Sequence, residues 1–214
     1  MVTTTDETEV PTSPETGTGA LNGGAVPLYA SPAFNEGFRL LALNVQRLIG
    51  DSDRRSIVVL SAKPREGRST TAAALAKAMS RMAHPVVLID ADPDGSGLID
   101  VVPSWTQEEG GRDPRGSGPR LQVLNPWFPA GTPETFLGRV KDAIQDAVDA
   151  GATVIIDAPA CGISSAAFYL ATDATGVLYV TRPSITQDGG VHADVRAQLD
   201  LLGARVLGVV VNEG

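Results

Sequence analysis

The stretch SAKPREGRST, residues 61–70, decides the predicted fold of this chain. It follows a short, wholly apolar run at 57–60 and leads into an alanine-rich segment, 69–82, that favours a helix. A glycine-containing turn between a buried strand and a helix presents backbone N–H groups and a helix N-terminus, which together cradle an anion. The stretch therefore predicts a phosphate-binding loop at a strand–helix junction.

The loop departs from the standard pattern G-x-x-x-x-G-K-[ST]. Aligned on Gly67, it has Ala62 at the first glycine place, Arg68 at the lysine place and Ser69 as the hydroxyl. A planar guanidinium is bulkier than an ammonium group and directs its donors differently. Taken alone, the loop also fits an ordinary strand–turn–helix in which the serine caps the helix.

Two further strand ends carry carboxylates. LIDADPD places Asp90 and Asp92 at the end of one apolar run, and VIIDAPA places Asp157 at the end of another. Carboxylates beside a phosphate loop hold the metal of a Mg–nucleotide complex and orient an attacking group. The sequence therefore predicts a nucleotide site in which Ser69, Asp92 and Asp157 bind Mg²⁺.

The rest of the chain alternates short apolar strands with amphipathic helices. We expect strands at 57–60, 86–89, 121–124, 153–156, 176–180 and 206–211, helices at 32–49, 69–82, 133–150 and 191–202, and a loop at 93–120. This alternation indicates an α/β fold of three layers, a mostly parallel sheet with helices on both faces. Ligands bind beyond the carboxyl ends of the strands in such sheets, where the three aspartates fall.

Composition and charge limit the domain organisation and the class of function. The 214 residues suit one α/β domain, which we place at 31–214. Residues 1–30 contain no Lys or Arg and are rich in Thr, Gly, Pro and Glu, so we expect a disordered acidic tail. The formal net charge of −8 argues against general nucleic-acid binding, which depends on neutralising phosphates.

The cysteine count and the hydropathy pattern indicate a cytoplasmic protein. The single cysteine, Cys161, excludes an internal disulfide and suits a reducing cytosol. No apolar run approaches the roughly 20 residues that span a bilayer, and the N-terminus has no secretory apolar region. Any membrane association would therefore need a partner protein.

The motifs resemble the ATPase group that contains the ParA and MinD proteins and the bacterial tyrosine kinases. Within it the capsule and exopolysaccharide kinases, the CpsD/CapB-like proteins, match best. Their motifs E-x-x-R-x-x-R, P-G-E-G-K-S-T, D-x-D-x-R and I-I-D-x-P-P correspond here to EGFRLLA, PREGRST, DADPD and IIDAPA. The resemblance runs from about Pro32 to Asn212 and implies a P-loop NTPase fold.

This resemblance also implies roles for individual residues, with ATP and Mg²⁺ as cofactors. Asp90, Asp92 and Asp157 would be the catalytic acidic residues. Glu36 and Arg39 fall on the motif through which family members form homo-oligomeric rings. The residues implied to bind the nucleotide are Lys63, Glu66, Gly67, Arg68, Ser69 and Thr70 in the loop, and Arg182 and Asn212 near the adenine.

Several positions depart from the kinase pattern. Arg68 replaces the phosphate-binding lysine, Asp94 stands where the acidic motif has arginine, and Ala42 replaces the last arginine of the ring motif. The chain also lacks the terminal tyrosine cluster that these kinases phosphorylate. In the other direction, Lys63 lies where ParA and MinD proteins carry a nucleotide-contacting lysine. It either replaces the charge lost at Arg68 or is a solvated loop lysine.

Three functions are consistent with these features. The first is an active protein-tyrosine kinase of capsular or exopolysaccharide biosynthesis. The second is a catalytically weak or inactive regulatory relative, a pseudokinase, that works with a membrane-embedded polysaccharide co-polymerase or adaptor protein. The third, a ParA/MinD-like positioning ATPase, gains from Lys63 and loses from the E-x-x-R remnant. The changes at Arg68 and Asp94 weaken the positive field around the γ-phosphate and favour the second.

Overall fold

The structure is a computed structural model that describes residues 31–50, 52, 54–82, 84–93, 98, 120–126, 132–183 and 189–213. The predicted tail at 1–30 and Asp94 lie outside these residues, as does most of the loop expected at 93–120. Leu98, within that expected loop, is described; it is helical and buried.

Helices and strands alternate along the described chain. In order they are α1 (Pro32–Ile49), β1 (Ser56–Ser61), α2 (Arg68–Ser80), β2 (Val86–Asp90), β3 (Leu121–Leu124), α3 (Pro133–Asp149), β4 (Thr153–Asp157), α4 (Ala166–Asp173), β5 (Gly176–Thr181), α5 (Gly189–Leu201) and β6 (Val206–Val211). All the predicted strands and helices are confirmed, with ends displaced by no more than two residues. Helix α4 was not predicted.

All six strands lie in one parallel sheet with the order β3-β2-β4-β1-β5-β6. Parallel pairing brings the carboxyl ends of the strands to one edge. The register places Asp90, at the end of β2, beside Asp157, at the end of β4. The loop that follows β1 leaves the centre of the same edge, so the predicted site residues converge there.

Helices cover both faces of the sheet, which confirms the three-layer prediction. On one face α1 and α2 pack with residues such as Val45 and Leu75, and on the other α3, α4 and α5 pack with residues such as Val140, Leu170 and Leu199. Every residue of β1, β2 and β4 is buried. A fully buried Ile, Leu or Val contributes about 1.5–3 kcal/mol to folding, so these strands form a rigid floor for the site.

Local signals explain where the helices begin. Thr132 accepts a hydrogen bond from the backbone N–H of Thr135 at 3.4 Å and caps α3. Ser31 precedes α1 without a side-chain cap in the described structure, and the proline at its first turn sets the helical φ. In the described part of the chain, no helix has the length and apolarity that a bilayer crossing needs.

Candidate functional site

The predicted phosphate loop joins β1 to α2 in a tight turn. Gly67 has φ +91° and ψ +17°, in the left-handed region, and Arg65 also has a positive φ of 63°. A Cβ atom on Gly67 would lie 2.3 Å from Nδ2 of Asn212. That nitrogen donates a hydrogen bond to the carbonyl of Glu66 at 3.1 Å. Glycine is therefore required both by the backbone conformation and by the close approach of Asn212.

The loop feeds directly into the N-terminus of α2. The first helical hydrogen bond runs from the N–H of Thr71 to the carbonyl of Gly67 at 2.9 Å. No side chain of the described residues caps this helix, so its leading N–H groups, from Arg68 to Thr70, have no helical acceptor. Their positive partial charge favours an anion at this point.

The Arg68 side chain points into the carboxyl edge of the sheet. Its Nε donates to Oδ1 of Asp157 at 3.0 Å, and its Nη1 donates to Oγ of Ser61 at 3.3 Å. Its Nη2 donates to Oδ2 of Asp92 in a very short hydrogen bond. Arg68 is only 8% exposed, so these are buried, charge-assisted contacts.

Three carboxylates lie in this cluster, and burial raises the pKa values of two of them, Asp90 and Asp157. Burial, followed by the negative charge of Asp157, raises the pKa of Asp90 to about 7. Burial also raises the pKa of Asp157, while the Arg68 charge and the Ser69 hydroxyl act in the opposite direction. Within the described structure, Oδ2 of Asp157 is buried and accepts no hydrogen bond.

The side chains gathered around Arg68 do not fit a magnesium ion. Mg²⁺ requires nearly octahedral oxygen ligation. Of the predicted ligands Ser69, Asp92 and Asp157, both carboxylates are already paired with the Arg68 cation. No set of three His, Cys, Asp or Glu side chains arranged for a metal occurs among the described residues. The metal-binding role of the three remains a prediction that this arrangement does not fit.

A second network holds the loop from the other side and joins the predicted loop residue Glu66 to two residues that the sequence analysis missed, His192 and Tyr179. Glu66 is buried and accepts a hydrogen bond from the N–H of Lys63 at 2.8 Å. Nε2 of His192, on α5, lies 3.4 Å from Oε1 of Glu66, and Nδ1 of the same ring lies 2.7 Å from the hydroxyl of Tyr179. Burial is the first cause that raises the pKa of Tyr179. No local sequence signal connects these three residues, which are far apart in the chain.

The remaining predicted binding residues lie at different distances from this core. Asn212 joins the loop, and its N–H also bonds the carbonyl of Thr181 at 2.8 Å. Lys63 is partly exposed, and its carbonyl accepts a hydrogen bond from Ser61 at 2.8 Å. Thr70 is partly exposed on the first turn of α2, whereas Arg182 is exposed after β5. The individual roles of these residues in binding remain predictions.

The two residues of the predicted ring motif pair with each other on the surface of α1. Nε and Nη2 of Arg39 donate to the two carboxylate oxygens of Glu36 at 2.9 and 2.8 Å. The hydrogen bond from Arg39 is the first cause that lowers the pKa of Glu36. The pair lies on an exposed helix face that also carries exposed leucines, Leu40 and Leu43.

Comparisons with known proteins agree with this fold and with a nucleotide-binding domain. The model of the CobQ/CobB/MinD/ParA nucleotide binding domain matches residues 57–213. The kinase domain of the Escherichia coli tyrosine kinase ETK has the same fold, with a TM-score of 0.65 and 19% identity over 83% of this chain and 74% of that chain. The chimerical protein CapA2B2 also aligns with a TM-score of 0.65, with 25% identity over 87% of each chain.

A sequence relative is the tyrosine-protein kinase YwqD of Bacillus subtilis (strain 168), 40% identical over 58 residues. That match spans 27% of this chain and 24% of YwqD, about a quarter of the relative's length. The family match covers most of the chain and includes the loop and all three aspartates. This chain therefore belongs to the CobQ/CobB/MinD/ParA nucleotide-binding domain family, with a P-loop fold that resembles bacterial tyrosine kinase domains.

Proposed function

We propose that this chain binds ATP at the loop of residues 61–70 and acts as a catalytically weak regulatory relative of the capsule and exopolysaccharide tyrosine kinases. The observation that carries the proposal is the position of Arg68. It stands at the phosphate-binding lysine place, yet its guanidinium is held by Asp92 and Asp157. The family supports nucleotide binding, and this pairing supports weak phosphoryl transfer.

Nucleotide binding draws its support from the backbone. The left-handed Gly67 lets the loop turn tightly against Asn212, and the uncapped N-terminus of α2 offers N–H groups to phosphate. Backbone donors of this kind do not depend on which side chain follows Gly67. The binding function therefore tolerates the change from lysine to Arg68.

Weak catalysis draws its support from the side chains. A kinase site needs positive charge on the transferring phosphoryl group, and a single arginine contribution is worth on the order of 10³–10⁵ in rate. The charge of Arg68 is instead shared with two carboxylates, which are themselves the groups expected to orient an attacking hydroxyl. Both catalytic requirements are weakened by the same pairing.

We propose that this chain lies in the cytoplasm and binds a membrane-embedded polysaccharide co-polymerase or adaptor protein. The support is the resemblance to the export kinases and the surface of α1, where the Glu36–Arg39 pair lies beside exposed leucines. The same surface would serve a homo-oligomeric contact. Either contact would be tested by co-purification with the polysaccharide-export protein of the same organism, comparing the wild type with Leu40→Glu.

The test of the central proposal is ATP calorimetry combined with a phosphotyrosine blot. We expect measurable ATP binding, at least tenfold weaker in Gly67→Ala, because the added Cβ collides with Asn212 and displaces the loop. Gly203→Ala is the matched control, since Gly203 also has a positive φ but has no atom within 4 Å of an added Cβ. Its affinity should equal that of the wild type.

The two parts of the proposal fail separately. An absence of ATP binding at millimolar concentration would overturn the binding function. Phosphorylation of a tyrosine copolymer at the rates of an active kinase, lost in Asp157→Asn, would overturn the weak-catalysis part and favour an active enzyme.

A further inference from the structure

We propose that the Arg68 guanidinium is a built-in cation that takes the place of the metal ion, so that this site binds a nucleoside polyphosphate without Mg²⁺. The inference rests on the proposed ATP binding and deepens it, since it names the ionic form of the ligand. It predicts metal-free ATP or ADP as the bound species.

The guanidinium is held at the ends of three adjacent strands. Ser61 ends β1, Asp157 ends β4, and Asp92 follows β2, and each accepts one hydrogen bond from Arg68. These strands are neighbours in the order β2-β4-β1 and are wholly buried. The cation is therefore held by side chains at, or two residues beyond, the ends of three buried strands.

A divalent ion would have to displace this arrangement. The oxygens that it would take from Asp92 and Asp157 already accept bonds from Arg68, and the unpaired Oδ2 of Asp157 is a single ligand. Entry of the ion would also place two positive charges beside a buried guanidinium, or leave that guanidinium buried without a carboxylate. Both outcomes are unfavourable, so the site excludes the metal.

The loop itself supplies positive charge for phosphate. Within residues 61–70, Lys63, Arg65 and Arg68 are cationic and only Glu66 is anionic. Arginine has five N–H donors, of which the three contacts above use three. The N-terminus of α2 adds its own positive partial charge. A polyphosphate can thus be bound by the protein's own cations.

The first experiment tests for the metal without any nucleotide. Thermal melts of the wild type, Arg68→Gln and Arg47→Gln are compared in EDTA and in MgCl₂. Arg47 is an exposed arginine on α1 and gives the matched loss of charge. We expect MgCl₂ to raise the Tm of Arg68→Gln by about 3–5 °C, the shift for a metal at roughly tenfold excess over its Kd. The wild type and Arg47→Gln should shift by less than about 1 °C on the same scale.

An equal Mg²⁺ shift in the wild type, or an absence of any shift in Arg68→Gln, would overturn the proposal. If Arg68→Gln does not fold, Arg68→Lys is melted instead. A lysine binds carboxylates as a point charge and yields them more easily to a metal. Its Mg²⁺ shift should exceed that of the wild type, and equal shifts would count against the inference.

The second experiment measures ATP affinity by calorimetry in EDTA and in MgCl₂. For the wild type we expect the two Kd values to agree within about twofold, whereas Mg²⁺ should tighten binding to Arg68→Lys at least tenfold, or about 1.4 kcal/mol. A wild-type affinity that falls tenfold in EDTA would overturn the inference. Absence of ATP binding in both buffers would instead overturn the proposed function, and the melts would still decide whether Arg68 excludes the metal.

Discussion

Two arginine–carboxylate pairs in this molecule have nearly the same length and opposite surroundings. On α1, Arg39 and Glu36 meet at 2.8 Å with side chains 66% and 52% exposed. At the sheet edge, Arg68 and Asp157 meet at 3.0 Å with side chains 9% and 0% exposed. The first pair lies within one helical turn, and the second joins residues 89 positions apart.

The pKa values of the two carboxylates shift in opposite directions because one is exposed and the other is buried. The hydrogen bond from Arg39 lowers the pKa of Glu36. This contact outweighs desolvation because the carboxylate is exposed to water. The pKa of Asp157 is raised, because burial outweighs the attraction of Arg68. The distance in an ion pair therefore does not measure how strongly the pair stabilises the charged carboxylate. Desolvation decides whether the pKa of that carboxylate rises or falls.

The largest expected effect comes from breaking the buried pair. Asp157→Ala leaves Arg68 buried with one carboxylate fewer, so we expect a loss of about 3–5 kcal/mol in the free energy of unfolding. Urea denaturation measures it. The double variant Arg68→Met/Asp157→Ala should lose less unfolding free energy than the sum of the losses in its two single variants. A loss below about 1 kcal/mol in Asp157→Ala would show that the buried pair contributes little to stability.

A smaller loss of stability distinguishes a glycine of the phosphate loop, Gly67, from a surface glycine, Gly203. Gly67→Ala combines backbone strain at φ +91° with a collision against Asn212, so we expect about 2–3 kcal/mol of destabilisation. Gly203→Ala, with φ +70° and open space around the added Cβ, should cost about 1 kcal/mol. Urea midpoints compare them, and equal losses would mean that the contact with Asn212 is unimportant.

The reactivity of the Cys161 thiol measures the burial of its surroundings without any substitution in the chain. Burial raises the pKa of Cys161 to about 11. Its thiolate fraction at pH 8 is then about 10⁻³, against roughly one quarter for an ordinary cysteine of pKa about 8.5. We expect reaction with a disulfide reagent to be at least about a hundredfold slower in the native protein than in urea. Comparable rates in the two states would contradict the burial.

The smallest expected effect belongs to the exposed pair. Glu36→Gln removes a contact that water and salt screen, so the urea midpoint should equal that of the wild type within error. Arg39→Gln is the matched variant and should behave in the same way. A clear loss of stability in either would show that the pair on α1 does more than its exposure predicts.

Much of the fold was predictable because its signals are local. Apolar runs mark the strands, and the spacing of residues such as Phe136 and Val140 marks α3. Parallel strands then bring Asp90 and Asp157 to one edge without any further information. Helix α4 was missed because eight residues carry too little periodicity to distinguish a helix from a loop.

The sequence by itself determined the strands, the helices other than α4, the phosphate loop and the strand ends that carry the aspartates, since each depends on neighbouring residues. Tertiary structure alone decided the strand order, the turn of Arg68 towards Asp92 and Asp157, and the contacts of His192 with Glu66 and with Tyr179. These contacts join distant parts of the chain. They form because packing buries charges that must then find partners, and no local pattern specifies which partner each one finds.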